Sequence, residues 1–202
     1  MVPKLASYFQ FTAVGTTPAH IRIRVKTALK DQSYLFPVTF SPAPPSVDGD
    51  SVGDTRMQFA TDKPLHAAPI VEVIQEVFFS PKGFGKKFSS LFRSYNDKYP
   101  SEPELPTPLL ALVATYMCGA LYLWEHGRKQ KATSFTQETL ETTYTDIVQF
   151  IETTRRNSPE GMHRLMHALF RSAKQSRDGA VVNDHGSASN ILTLAPEPAA
   201  AM

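Results

Sequence analysis

The 202-residue chain is long enough to bury one sizeable core, and its 42% hydrophobic and 20% charged fractions are ordinary for a globular protein. Lysine plus arginine exceed aspartate plus glutamate only by 21 to 19, which excludes bulk attraction to nucleic acid and leaves only a local basic patch able to act that way. A single cysteine, Cys118, excludes an internal disulfide and a cysteine-rich zinc cluster.

The first twenty residues, MVPKLASYFQFTAVGTTPAH, lack a clean apolar centre and make a poor secretory signal, and no Asn-x-Ser/Thr sequon occurs. With the lone thiol this favours an intracellular protein, cytoplasmic or nuclear. Residues 1–19 read as an N-terminal extension ahead of a domain over 20–178. HIRIRVKTALK fits two periods, a strand through Ile21, Ile23 and Val25 or a helical face of Ile21, Val25, Ala28 and Leu29. Thr17 as N-cap with Pro18 at N1 tips it toward helix. YLFPVTF, 34–40, reads as extended. Residues 41–66 combine Pro, Gly, Ser and Asp, the composition of a solvated insertion loop. APIVEVIQEVFF then places Ile70, Val71, Ile74, Val77 and Phe78 on one face, predicting an amphipathic helix over about 69–79. Phe88, Leu91 and Phe92 predict a short helix after the GFG turn.

LPTPLLALVATYMCGALYLW, 105–124, holds twenty residues without a charge. Pro106 and Pro108 start its helix near Thr107, and Gly127 is its natural stop. The apolar part, Leu109 to Trp124, spans about 24 Å, short of a ~30 Å hydrocarbon layer. The expectation is therefore a central core helix, 107–126, apolar on all sides and wrapped by neighbours, with no membrane span. Thr136 as N-cap, with Phe135 positioned to staple onto Leu140, opens the next helix. Leu140, Tyr144, Ile147, Val148 and Ile151 carry its apolar stripe, and Arg155 and Arg156 close it. Ser158 and Pro159 begin a last helix with Met162, Leu165, Met166, Leu169, Phe170 and Ala173 inward. Residues 179–202 have the composition of a disordered tail. The expected fold is all-α: a compact helical domain around a central apolar helix, with a long irregular loop.

Four segments in order, PIVEVIQEVFF, LPTPLLALVATYMCGALYLWEHG, SFTQETLETTYTDIVQFI and MHRLMHALF, resemble domain of unknown function 6532, a family of mushroom-forming basidiomycete fungi, over roughly residues 20–178. The resemblance rests on Phe79, on Leu110 to Thr115 entered by Pro108, on Trp124 and Gly127, and on Phe135, Thr136 and Tyr144. It implies a compact helical domain and, given the family's multi-copy habit, a possible link to mobile elements. It implies no reaction and supplies no catalytic residue.

Motifs that carry chemistry fail one by one. His163 and His167 stand at i and i+4, yet Arg164 occupies the place where a zincin needs its glutamate, so the pair reads as a boundary or surface pair. SPKGFGKKF lacks glycine at Ser80 and Ser or Thr at Lys87, which a phosphate loop requires. The run Asp48 to Asp54 is similar to the start of a calcium loop, but counted from Asp48 the fifth place is Val52 and the twelfth is Phe59, where ligands belong. Cys118 has no cation nearby in sequence to activate it. No catalytic residue, metal or cofactor is expected. Lys86, Lys87, Arg128, Lys129, Lys131, Arg171 and Lys174 form a candidate basic face, with Phe84, Phe88 and Tyr95 able to stack on bases. The reading that follows is a non-enzymatic module binding a protein through a groove beside the central helix; the alternative is a nucleic-acid-associated domain.

Overall fold

The computed structural model describes residues 2–42, 55–80, 83–131 and 137–175. These form six α-helices and one hairpin: α1 (Val2–Tyr8), α2 (Pro18–Leu29), β1 (Val38–Pro42), β2 (Thr55–Phe59), α3 (Ala68–Ile74), α4 (Thr107–Tyr122), α5 (Gln137–Asn157) and α6 (Pro159–Gln175). Two compact units divide the chain, one of Met1–Ile70 with Leu112–Thr145, the other of Val71–Ala111 with Asp146–Met202. No helix among the described residues is long and apolar enough to cross a membrane.

In the first unit the opening residues contribute apolar side chains to the core. Leu5, Ala6, Phe9 and Phe11 are buried, and the Phe9 and Phe11 rings lie 5.8 Å apart, with Trp124 5.4 Å beyond Phe11. The broken apolar pattern that makes a poor signal sequence suits a seven-residue helix followed by a tight turn. Tyr8 Oη accepts the Val38 N–H at 3.1 Å, holding the start of β1. α2 begins as expected: Thr17 caps the His20 N–H, His20 reaches back to the Thr17 N–H, and Pro18 opens the first turn. Ile21, Val25 and Ala28 are buried and Ile23 is 62% exposed, so the helical period prevails over the strand period. Gly127 has φ +80°, and a Cβ there would lie 2.3 Å from the Pro18 carbonyl oxygen; both the turn after α4 and the approach to α2 require glycine.

The region expected as an irregular loop contributes a strand. β1 and β2 pair antiparallel with Val38 opposite Phe59 and Pro42 opposite Thr55. Residues 43–54, which include the calcium-like run, lie outside the described residues. Arg24 is buried, donates to the Gln10 carbonyl at 2.7 Å and lies over the Phe40 ring, so α2 and the hairpin share a charged contact.

α4 begins at Thr107, with the Pro106 carbonyl accepting from Leu109 and Leu110, and ends at Tyr122, short of His126. Its residues Val113, Ala114, Met117, Cys118 and Leu121 are buried. Leu112 and Tyr116, one turn apart, are 55% and 36% exposed. The rod is therefore not wrapped on every side: one apolar edge meets water. Burial raises the Cys118 thiol and the neighbouring Tyr34 phenol above their ordinary ranges, which leaves the thiol protonated and inert.

In the second unit α3 ends in a wide π turn, Gln75–Phe79. Phe79, Phe92 and Phe170 close a triangle of rings with centroids 5.3 to 5.7 Å apart. α6 buries Met162, Leu165, Met166, Leu169, Phe170 and Ala173 as its period demands, and α5 buries Ile147 and Ile151. The stretch expected as one short helix forms two 3-10 turns, Phe84–Lys86 and Ser89–Leu91, and only Phe92 of the expected stripe turns inward. Phe88 and Leu91 are 46% and 53% exposed.

Candidate functional site

Prolines at 103, 106 and 108 keep residues 103–106 out of helix and in an extended approach to α4. This approach lies along α6: the Leu105 N–H donates to the Met166 carbonyl, and His167 Nδ1–H donates to the Pro103 carbonyl at 2.8 Å. Glu102 and Glu104, two residues apart in the chain, thereby reach the same side chain.

That side chain is His163, which is buried. Its Nδ1 stands 2.8 Å from Glu104 Oε1 and its Nε2 stands 2.8 Å from Glu102 Oε2. An ionised carboxylate only accepts, so a glutamate on each ring nitrogen favours the imidazolium form, in which both nitrogens donate. Burial by itself pushes the imidazole pKa down, but the two carboxylates outweigh it and hold His163 above the ordinary histidine value. Tyr99 stacks on the ring at 4.8 Å and 11°.

Glu104 is the deeper carboxylate, 1% exposed, and also accepts the Tyr95 N–H at 2.8 Å. Arg155 Nη1 lies 3.9 Å from its other oxygen, while Arg155 Nη2 donates to Thr107 Oγ1 at 3.1 Å. The Arg155 guanidinium also lies over the Tyr95 ring, as does that of Arg93. Lys98 and Glu160 pair at 2.6 Å across the mouth, which lowers the Glu160 carboxyl pKa.

Above this network opens a cleft of about 610 Å³, lined by Tyr95 to Lys98 on one side and by Arg155, Asn157 to Gly161, His163 and Arg164 on the other, with Glu104 in its floor. It adjoins the first turn of α4 through the Arg155–Thr107 bond. Its floor offers charge and hydrogen bonding. Both ring nitrogens of His163 have carboxylate partners, and Glu104 is held by two donors.

The expectation that His163 and His167 form a boundary or surface pair is corrected. His167 is half-buried on a carbonyl, but His163 is 2% exposed and ion-paired on both sides. Sequence reasoning missed the cause because Glu102 and Glu104 lie some sixty positions away. The available signal was the pair of carboxylates among prolines immediately before the core helix. Among the described residues no group of three or more His, Cys, Asp or Glu side chains is arranged to hold a metal ion.

The candidate basic residues divide between the units. Arg128, Lys129 and Lys131 belong to the first; Lys86, Lys87, Arg171 and Lys174 belong to the second. Lys87, Arg128, Lys129, Lys131, Arg171 and Lys174 are exposed, and Lys174 Nζ lies 5.7 Å from the Phe170 ring centroid. Phe84 and Tyr95 are exposed as well, at 53% and 46%. Of the residues expected to shape the domain, Pro108 is exposed, Trp124 and Tyr144 are half-buried and Gly127 is buried. Phe135 and Thr136 lie outside the described residues, although α5 begins directly after them at Gln137. The GFG turn has a steric reason: a Cβ on Gly83 or Gly85 would come within 2.5 Å of the Phe78 carbonyl oxygen.

A family model described as domain of unknown function (DUF6532) matches residues 2–154. The match reaches eighteen positions further toward the N-terminus than the resemblance at residue 20, consistent with the burial of Leu5 and Ala6 in α1, and it stops before Arg155, where α5 and α6 complete the cleft. No curated protein and no solved structure matches the chain.

Proposed function

We propose that this chain, which belongs to the family of domain of unknown function 6532, is a non-enzymatic interaction module that receives a segment of a partner protein in the cleft beside the start of α4. One observation carries the reading. The cleft is large enough for several side chains, yet its buried histidine and carboxylate are already committed to one another. Such a floor is rigid and polar, suited to fixing the register of a bound chain. The rim supplies what protein interfaces favour, aromatic and arginine side chains: Tyr95 and Arg164 are both exposed.

The test is a random peptide library panned on the full chain, with affinities of the enriched peptides measured by fluorescence anisotropy. Enriched peptides are expected to lose about tenfold or more in affinity for Arg164→Glu and Tyr95→Ser, as truncation of interface anchors does. Arg128→Glu, in the other unit, leaves binding unchanged. Peptides that bind all variants alike, or a library that enriches nothing, would refute the reading; turnover of a substrate in the cleft would replace it with an enzyme.

A further inference from the structure

The turns between α3 and the cleft carry apolar side chains on two opposite sides. Phe92 points inward to Phe79 and Phe170, and Gly85 is buried against the Phe78 carbonyl. Outward, the Phe88 N–H bonds to the Phe84 carbonyl and the Leu91 N–H to the Phe88 carbonyl, so Phe84, Phe88 and Leu91 follow one another turn by turn. They are 53%, 46% and 53% exposed. An anchored segment with an apolar inner side has no folding reason to place two phenylalanines and a leucine in water.

Along the chain, the charge of this segment has one sign. Between Glu76 and Asp97 the sequence holds lysine and arginine and no aspartate or glutamate, and Lys87 and Arg93 are exposed. We infer that the ridge is a contact for an anionic lipid surface, with Phe84, Phe88 and Leu91 entering the boundary between headgroups and acyl chains and Lys87 and Arg93 resting on phosphates. Three features favour a bilayer over other partners. The side chains protrude, and none of the three lines the cleft, so a protein partner would have to bring a matching apolar pocket. Charges of a single sign attract without setting register, which suits a fluid surface; protein interfaces set register with mixed charges. Leu91 has no ring to stack on a base, and nucleic acid offers protruding aliphatic carbon little to gain.

The experiment uses the full chain and unilamellar vesicles of phosphatidylcholine, with or without phosphatidylserine at about one third of the lipid. Sedimentation is expected to retain the protein on the anionic vesicles and not on the neutral ones. Phe84→Ser with Leu91→Ser, and separately Lys87→Glu, each weaken retention by about tenfold. All three changes fall on exposed side chains, and circular dichroism verifies the fold. Phe88→Trp provides an independent signal, an emission blue shift on adding anionic vesicles. Absence of binding at low salt overturns the proposal. So does binding that ignores Phe84→Ser with Leu91→Ser, or a tryptophan at 88 that stays in water. Retention abolished by an equimolar single-stranded oligonucleotide, with the same dependence on Lys87, would assign the ridge to nucleic acid instead.

Discussion

Replacing Glu104 by alanine is expected to destabilise the protein by about 3–5 kcal/mol, the cost of removing one partner from a buried ion pair. The structure supplies the terms. The Glu104 side chain is 1% exposed, accepts from His163 and the Tyr95 N–H at 2.8 Å each, and faces Arg155 at 3.9 Å. Its loss strands a buried imidazolium and a backbone donor together. His163 can shed its proton in response, which favours the lower end of the range. Glu102 is the internal control: it binds the same ring at the same 2.8 Å, but its side chain is 41% exposed. Water replaces it, so Glu102→Ala is expected to cost about 0–1 kcal/mol. Urea unfolding followed by circular dichroism reads the difference. With a slope near 2 kcal/mol/M, a 3 kcal/mol loss lowers the midpoint by about 1.5 M. Equal shifts for the two alanine variants, or an unmoved midpoint for Glu104→Ala, would refute the assignment of the clamp's strength to its buried half.

Three other outcomes follow from the same structure. The raised His163 pKa means that the folded state holds its proton more tightly than the unfolded chain, so the clamp's stabilisation is complete below the unfolded value of about 6.5 and disappears as pH rises through the folded value. The urea midpoint of the wild type should therefore fall between pH 6 and pH 9 by more than that of His163→Gln; parallel profiles would rule out the clamp as their source. Gly127→Ala forces a side chain into φ +80° and within 2.3 Å of the Pro18 carbonyl, and calorimetry should show a loss of about 2 kcal/mol or more. Ala114→Glu buries a carboxylate where no solvent reaches and should abolish the cooperative melt, whereas Leu112→Glu, two positions away and 55% exposed, should stay within about 0.5 kcal/mol of the wild type. A normal thermal transition in Ala114→Glu would remove the case for α4 as a core helix.

Local signals were legible where the physics is local. The cap at Thr17, the inward stripe of α6 and the start of α4 at Thr107 each depend on residues within a few positions, so spacing alone reveals them. The hairpin was not legible, because β2 is a short polar strand that exists only by pairing with β1. The spacing of Phe88, Leu91 and Phe92 predicts a short helix, yet spacing cannot say which of two apolar sides finds a neighbour. Likewise the candidate basic residues could be named from the sequence, while their division between two units could not.

By itself the sequence determined an all-helical class, the starts of its best-capped helices and, among the described residues, the absence of a helix long and apolar enough to span a bilayer, because caps, periods and lengths are properties of contiguous residues. Tertiary structure alone decided that His163 lies between Glu102 and Glu104, that a cleft opens above them and that Phe84, Phe88 and Leu91 face outward. Each of these joins or separates groups distant along the chain, and the electrostatic and apolar energies that act on them depend on distance in space and on access of water.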